Sequence, residues 1–402
     1  MVLVALVLAF GGSTAAGQAT GNEAAKYRMH VKPGDEATQQ GFTYFYNMEY
    51  VPAVREFEKA LANHPNNAYS VNHLLEGVLF QELHREGKLD AELYMSNQFV
   101  HMKKRPPDPE AIARVEKLIQ RAQDLEEEQL KNNPNDVNAL YARSVTRGLR
   151  AVKLALVEKE WFSALRSGLG AYDDSKEILK INPNFSDAKL IVGIYNYVVG
   201  SLPWPVKMAA LLVTIHGSRT KGLVLIKEAA EADSEASVDA RTTLAIFLAR
   251  EKRYGEALEL TEWLANAFPR NFIFALSRAG LLKGAGKVPE AIEDYRQIIE
   301  RGKRGEYGNQ NVGPAAVNLG NLLRSKREWI EAAAAYDSAE TLPHPDENLL
   351  ASARLAAGEM YDMAGKRGQA VERYQAVLKE AKDPELTKRA KELIERPYKG
   401  GS

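Results

Sequence analysis

The chain has 402 residues, 45% hydrophobic and 26% charged, with 53 Lys and Arg balancing 53 Asp and Glu and a pI near 7.1. Those are globular fractions and exclude extensive disorder, while charge parity gives no bulk attraction to nucleic acid or an anionic membrane. With no cysteine, disulfides, thiolate chemistry, Cys-based zinc sites and lipid attachment through cysteine are excluded together.

The chain opens on an uninterrupted apolar run, MVLVALVLAF, followed by the small-residue stretch GGSTAAGQATG. This has the layout of the hydrophobic and cleavage regions of a secretory signal, with cuts expected after Gly17 or Ala19, although no Lys or Arg precedes the run. It is about half the roughly 20 apolar residues that a membrane span needs. Residues 1–19 are read as a signal peptide and 20–32 as a linker. The expected location is periplasmic, at most peripheral to a membrane.

A recurring register starts at Gly41, Tyr44, Ala53, Phe57, Ala60 and Pro65. HLLEGVLFQELH (His73 to His84) follows, with His73 and Glu76 one turn apart, but it lacks the H-E-x-x-H spacing of a zinc helix and reads as structural. Glu86 to Val100 is expected as an extra helix. The short basic run HMKKRPP (His101 to Pro107) reads as a solvated loop. Asp108 then caps a long helix with Pro109 at its first position. NNPND (Asn132 to Asp136) and INPNF (Ile181 to Phe185) are turns, with another long helix between them, and a first helix begins near Ser186 with Gly193 at a close-approach position.

GSLPWPVKMAALLVTIHGSRTKG (Gly200 to Gly222) interrupts this pattern. From Leu202 to Gly217 its only charge is Lys207. Pro203 and Pro205 bracket Trp204 and oppose helix, after which Val206 to Ile215 regains helical spacing. An all-round apolar helix is buried in protein or lipid, and ten residues are too short to span a bilayer. Burial is the leading reading. A lid or membrane contact using Trp204, Met208 and Leu212 is the alternative. In GSRTKG (Gly217 to Gly222), the glycines, Arg219 and Lys221 have an arrangement suited to an anion at a helix start, but without nucleotide-loop spacing the segment reads as turn chemistry.

Downstream the register returns at Ala257 with Pro269, at Ala291 with Tyr295, at Gly320, Leu323, Ala332, Tyr336 and Ala339, and at Gly358, Tyr361, Ala370 and Tyr374. The two alanines Ala257 and Ala291 stand 34 residues apart. Small residues let two antiparallel helices approach, a recurring aromatic wedges into the next pair, and Pro ends a second helix. This pattern resembles the tetratricopeptide repeat. The insertion and the helix after it are faintly similar to the eukaryotic inclusion-body-clearance repeat family in their Leu-Pro-rich insertion, Gly-x-basic turn and Gly-Leu helix.

The resemblance implies an all-α, right-handed solenoid of about seven helix pairs. Repeats with long helices would occupy 33–200, the insertion 201–218, regular repeats 219–395 and a disordered tail 396–402. It also implies a groove lined by first helices that binds an extended peptide or helix. Carried over by position, that groove holds Phe42, Phe45 and Tyr46, then Leu190, Ile194 and Tyr197, then Thr242, Ile246 and Arg250. Lys283, Asn321, Arg324 and Glu359 follow. Asn321 with Arg324 is faintly similar to the carboxylate-clamp subset. No G-x-S-x-G elbow, nucleotide loop or metal spacing occurs. The chain is therefore expected to be a non-catalytic scaffold for a protein partner in the cell envelope, with no cofactor, metal or nucleic acid. An apolar-ligand or membrane-associated carrier is the alternative.

Overall fold

A computed structural model describes residues 30–89, 106–202, 217–344 and 346–400. The expected extra helix from 86 to 100 lies almost wholly outside them, as do the signal region and Trp204, Met208 and Leu212. Among the described residues there are 17 α-helices and no strand. They run α1 Glu36–Tyr46, α2 Tyr50–Asn63, α3 Ala68–Arg85, α4 Pro109–Asn132, α5 Val137–Lys153, α6 Trp161–Ile181, α7 Ser186–Ser201 and α8 Arg219–Glu231. Then come α9 Ser237–Arg250, α10 Tyr254–Ala267, α11 Phe272–Gly284, α12 Val288–Lys303, α13 Gly313–Ser325, α14 Trp329–Asp337, α15 Glu347–Met363, α16 Arg367–Glu380 and α17 Pro384–Glu395. They form eight antiparallel pairs and a closing helix, one pair more than the sequence spacing gave.

Helix starts follow capping chemistry. The carboxylates of Asp35, Asp108, Asp136, Asp346 and Asp383 and the side-chain oxygens of Asn67 and Asn271 accept from backbone N–H groups of the first turns. Within five pairs, the turn between the helices places one residue in the left-handed region: Met48 (φ 61°), Lys252 (56°), Gly286 (76°), Arg327 (62°) and Gly365 (71°).

The glycines of the register are where the helices touch. A Cβ added to Gly41 would stand 2.5 Å from the Phe57 ring, and one added to Gly320 would stand 2.6 Å from the Tyr336 ring; Gly358 faces Tyr374 in the same way. Each aromatic thus closes first on the glycine of its own pair. Phe57 also reaches Gly77 of the next pair, the wedge that the sequence spacing predicts.

The chain divides into two compact units, Met1–Phe268 and Pro269–Ser402, and not at the insertion. The physical reason lies in α7 and α8, which flank the insertion yet meet backbone to backbone. A Cβ on Gly222 would lie 2.6 Å from the Tyr197 amide nitrogen and 2.7 Å from the Gly193 carbonyl, and one on Gly217 would lie 2.7 Å from the Gly200 amide nitrogen. In the second unit one contiguous apolar core runs from Phe272 to Leu393.

Candidate functional site

Residues of the first helices α1, α3, α5, α7 and α9, with two from the turn into α9, surround a cavity of about 60 Å³ within the first unit. Its apolar lining includes Phe42, Tyr46, Tyr69 and Tyr141, with Leu190, Ile191 and Ile194; its polar lining includes Asn72, His73, Glu76, Glu235, Asp239 and Thr243. The unit closes on itself around this space. The Tyr46 ring centroid is 5.1 Å from that of Phe268, and His73 Nε2 is 3.0 Å from Glu235 Oε1. Ahead of α1, the Lys32 amide donates to Glu235 Oε2 at 2.7 Å, and His30 pairs with Asp233 at 3.2 Å.

The electrostatics of the cavity are one-sided. Glu76 is 6% exposed, and its Oε1, like His73 Nδ1 and Thr243 Oγ1, is buried with no hydrogen-bond partner. Burial, with Asp239 and Glu235 beside it, pushes the Glu76 carboxyl up to about 8. The Tyr46 hydroxyl is bonded to Asp239. Burial and nearby carboxylates raise the Tyr46, Tyr69 and Tyr141 hydroxyls, so all three stay neutral.

The HLLEGVLFQELH segment is thus split between two environments. His73 and Glu76 face the cavity. Glu82 instead holds Arg85 and the Asp108 amide, tying α3 to α4, and His84 sits against the Tyr50 ring. Among the described residues no group of three His, Asp or Glu could hold a metal ion.

Several expected groove residues lie elsewhere. Phe42 and Tyr46 line the cavity but are each 3% exposed, and Phe45 is packed inside the helix pairs against Tyr50 and Phe80. Tyr197 stacks on Phe247 at 3.9 Å and donates to Glu251, while Leu190 and Ile194 do line the cavity. In α9 the expected inner positions, Thr242, Ile246 and Arg250, are out of register. Thr242 bonds back to the Val238 carbonyl, and the cavity takes Asp239 and Thr243 instead. Glu235 and Asp239 carried no motif; their only signal was an i, i+4 acidic pair at a helix start.

GSRTKG is turn chemistry, with Ser218 capping α8 and both glycines filled by neighbouring backbone. No described helix is long and apolar enough to cross a membrane.

In the second unit, Asn321 and Arg324 on α13 and Glu359 on α15 come together, whereas Lys283 on α11 is exposed apart from them. Asn321 accepts from the Tyr336 hydroxyl at 2.6 Å. Arg324 and Arg389 each approach Glu359 at 3.5 Å. The residues after α17, expected to be disordered, run back over this face as far as 400. Arg324 Nη2 donates to the Tyr398 hydroxyl at 2.8 Å, and the Tyr398 amide donates to Asp362 Oδ2 at 2.8 Å. The Arg324 and Arg389 guanidinium carbons lie 5.7 and 6.0 Å from the Tyr398 ring centroid. These bonds and cation–π contacts are what order the segment.

Small residues and rings sixteen positions apart close the pairs at Gly41 and Phe57, Gly320 and Tyr336, and Gly358 and Tyr374, and the inner face of the first unit is built almost entirely from first helices. In this spacing and closure the helix pairs resemble tetratricopeptide repeats. No family model matches this repeat chain, and no curated protein matches it. Among solved structures it is similar to YrrB, described as a TPR protein with an unusual peptide-binding site, at 16% identity over 55% of this chain and 98% of that one, with a TM-score of 0.34. It is similar also to yeast Tom70, at 14% identity over 89% and 94% with a TM-score of 0.36. Pseudomonas aeruginosa PilF gives 15% over 61% and 99%, with a TM-score of 0.35.

Proposed function

We propose that this repeat chain is a non-catalytic protein-binding scaffold, exported to the cell envelope, whose second unit takes an extended peptide on its first-helix face. One observation carries the reading: that face already receives an extended stretch of polypeptide, residues 396–400, through Arg324 and Asp362 on two first helices and Arg389 on α17. The chemistry suits a peptide. Two guanidinium groups flank an aromatic ring, Glu359 holds both of them, and Asp362 accepts a backbone amide. Export rests on the apolar run Met1 to Phe10 and the small residues after it.

The test is a photo-crosslinking side chain placed at Asn321 in cells, with a second copy of the experiment carrying Arg324→Glu. The reading expects discrete protein adducts that disappear with the charge reversal while the protein stays folded. Adducts indifferent to Arg324, or lipid adducts alone, would contradict it.

A further inference from the structure

We propose that the cavity of the first unit is a binding site for a small organic ammonium ion, recognised by buried hydrogen-bond acceptors and aromatic rings together. The site is separate from the peptide face and does not depend on that reading.

The lining is rich in acceptors and short of positive charge. Glu76, Glu235 and Asp239 bring three carboxyl groups to one space, and none of the described lining residues is Lys or Arg. Lys32, ahead of α1, lies over the rings of Tyr69 and Phe185 at 5.7 and 4.9 Å. Beyond the carboxyl groups, two unlike atoms are left over. His73 gives Nε2 to Glu235, and its Nδ1 meets nothing; Thr243 Oγ1 meets nothing either. With Nε2–H donating, Nδ1 carries a lone pair. His73 is 3% exposed and Thr243 fully buried. Unmet buried polar atoms are costly to keep, so their joint presence on one cavity marks a place for a donor.

Phe42, Tyr46, Tyr69 and Tyr141 supply the rest. A cation near such rings gains about 0.5–2 kcal/mol, and neutral tyrosines keep their ring faces attractive to it. The size is restrictive. About 60 Å³ has room for only a few water-sized groups, which suits an ammonium head with a short carbon stub and is too small for a peptide segment. The absence of a three-ligand group among the described residues favours an N–H donor over a bare metal ion.

The probe is methylammonium chloride, titrated into the full chain at constant ionic strength and followed by thermal unfolding, with potassium, calcium and tetramethylammonium chlorides as separate arms. Methylammonium is expected to raise the midpoint saturably. Potassium and calcium do not, and tetramethylammonium, bulkier and without N–H, does not. Thr243→Val and Asp239→Asn are expected to weaken the apparent affinity at least tenfold. Glu76→Gln is expected to raise the midpoint without ligand while removing the response to it, a combination that simple loss of packing does not produce. No response to methylammonium in the parent chain overturns the proposal. An equal response to potassium, calcium or tetramethylammonium, or an undiminished response in all three variants, overturns it too.

Discussion

The guanidinium of Arg324 donates to the hydroxyl of Tyr398 at 2.8 Å, a bond spanning 74 positions of the chain. It ties the stretch after the last helix to the inner face of α13, and Asp362 fixes the same stretch by its backbone. Replacing Tyr398 with Ala removes the ring, the hydroxyl bond and both cation–π contacts, each contact of about 0.5–1 kcal/mol at a half-exposed site. Hydrogen exchange of the amides at 398–400 is then expected to speed up at least tenfold while α15 is unchanged.

Gly320 has no room for a side chain, because its Cβ would lie 2.6 Å from the Tyr336 ring. Gly320→Ala is expected to destabilise the second unit by about 1–3 kcal/mol, the cost of overpacking a filled core. Tyr336→Leu in the same chain should recover part of that loss. Chemical denaturation of the two variants and the double variant measures the coupling.

The within-pair turns hold three side-chain-bearing residues in the left-handed region, Met48, Lys252 and Arg327, where other pairs use Gly286 and Gly365. The left-handed conformation costs an L residue about 1–2 kcal/mol and glycine almost nothing. Because glycine also gains freedom in the unfolded chain, Lys252→Gly and Arg327→Gly are each expected to stabilise by about 0.5–1 kcal/mol. Unchanged or lower denaturation midpoints would contradict this.

Two buried carboxyls give the first unit a signed pH dependence. Burial raises Glu76 and Glu126 from 4.5 to about 8 each, the latter despite a hydrogen bond from Thr146. The folded chain then holds protons that the unfolded chain releases above about 4.5, so stability falls as pH rises from there to about 8. Denaturation at pH 5, 6.5 and 8 should show the decline. Glu76→Gln and Glu126→Gln should each flatten part of it.

Asp174 is 4% exposed and receives both Arg143, at 2.6 Å, and Arg147, at 2.5 Å, joining α5 to α6. Removing one member of a buried pair leaves the remainder uncompensated, at about 3–5 kcal/mol. The arginines here keep partial access to water, so Asp174→Ala is expected at the lower end, read as a lowered denaturation midpoint of the first unit.

The repeat itself was legible, since glycines, alanines and rings at fixed spacings act locally, and so was the helix cap at Asp108. The cavity was not. His73 on α3 and Glu235 ahead of α9 are 162 positions apart and meet only because successive pairs turn the first unit back on itself. The turn into α9 also shifts its inner residues by one, so that Thr243 and not Thr242 faces inward, a rotation that no spacing rule reports. The docking of Tyr398 was hidden for another reason: a short Pro- and Gly-containing stretch after a final helix reads as loose unless its distant partners, Arg324 and Asp362, are known.

The most direct measurement is fluorescence anisotropy with a labelled peptide of residues 394–400, added to the parent chain and to Tyr398→Ala. If the second unit has a peptide face held by its own chain, the variant binds the free peptide at least tenfold more tightly than the parent, and adding Arg324→Ala abolishes the gain. Equal binding by both chains, or none by either while both remain folded, would contradict the account.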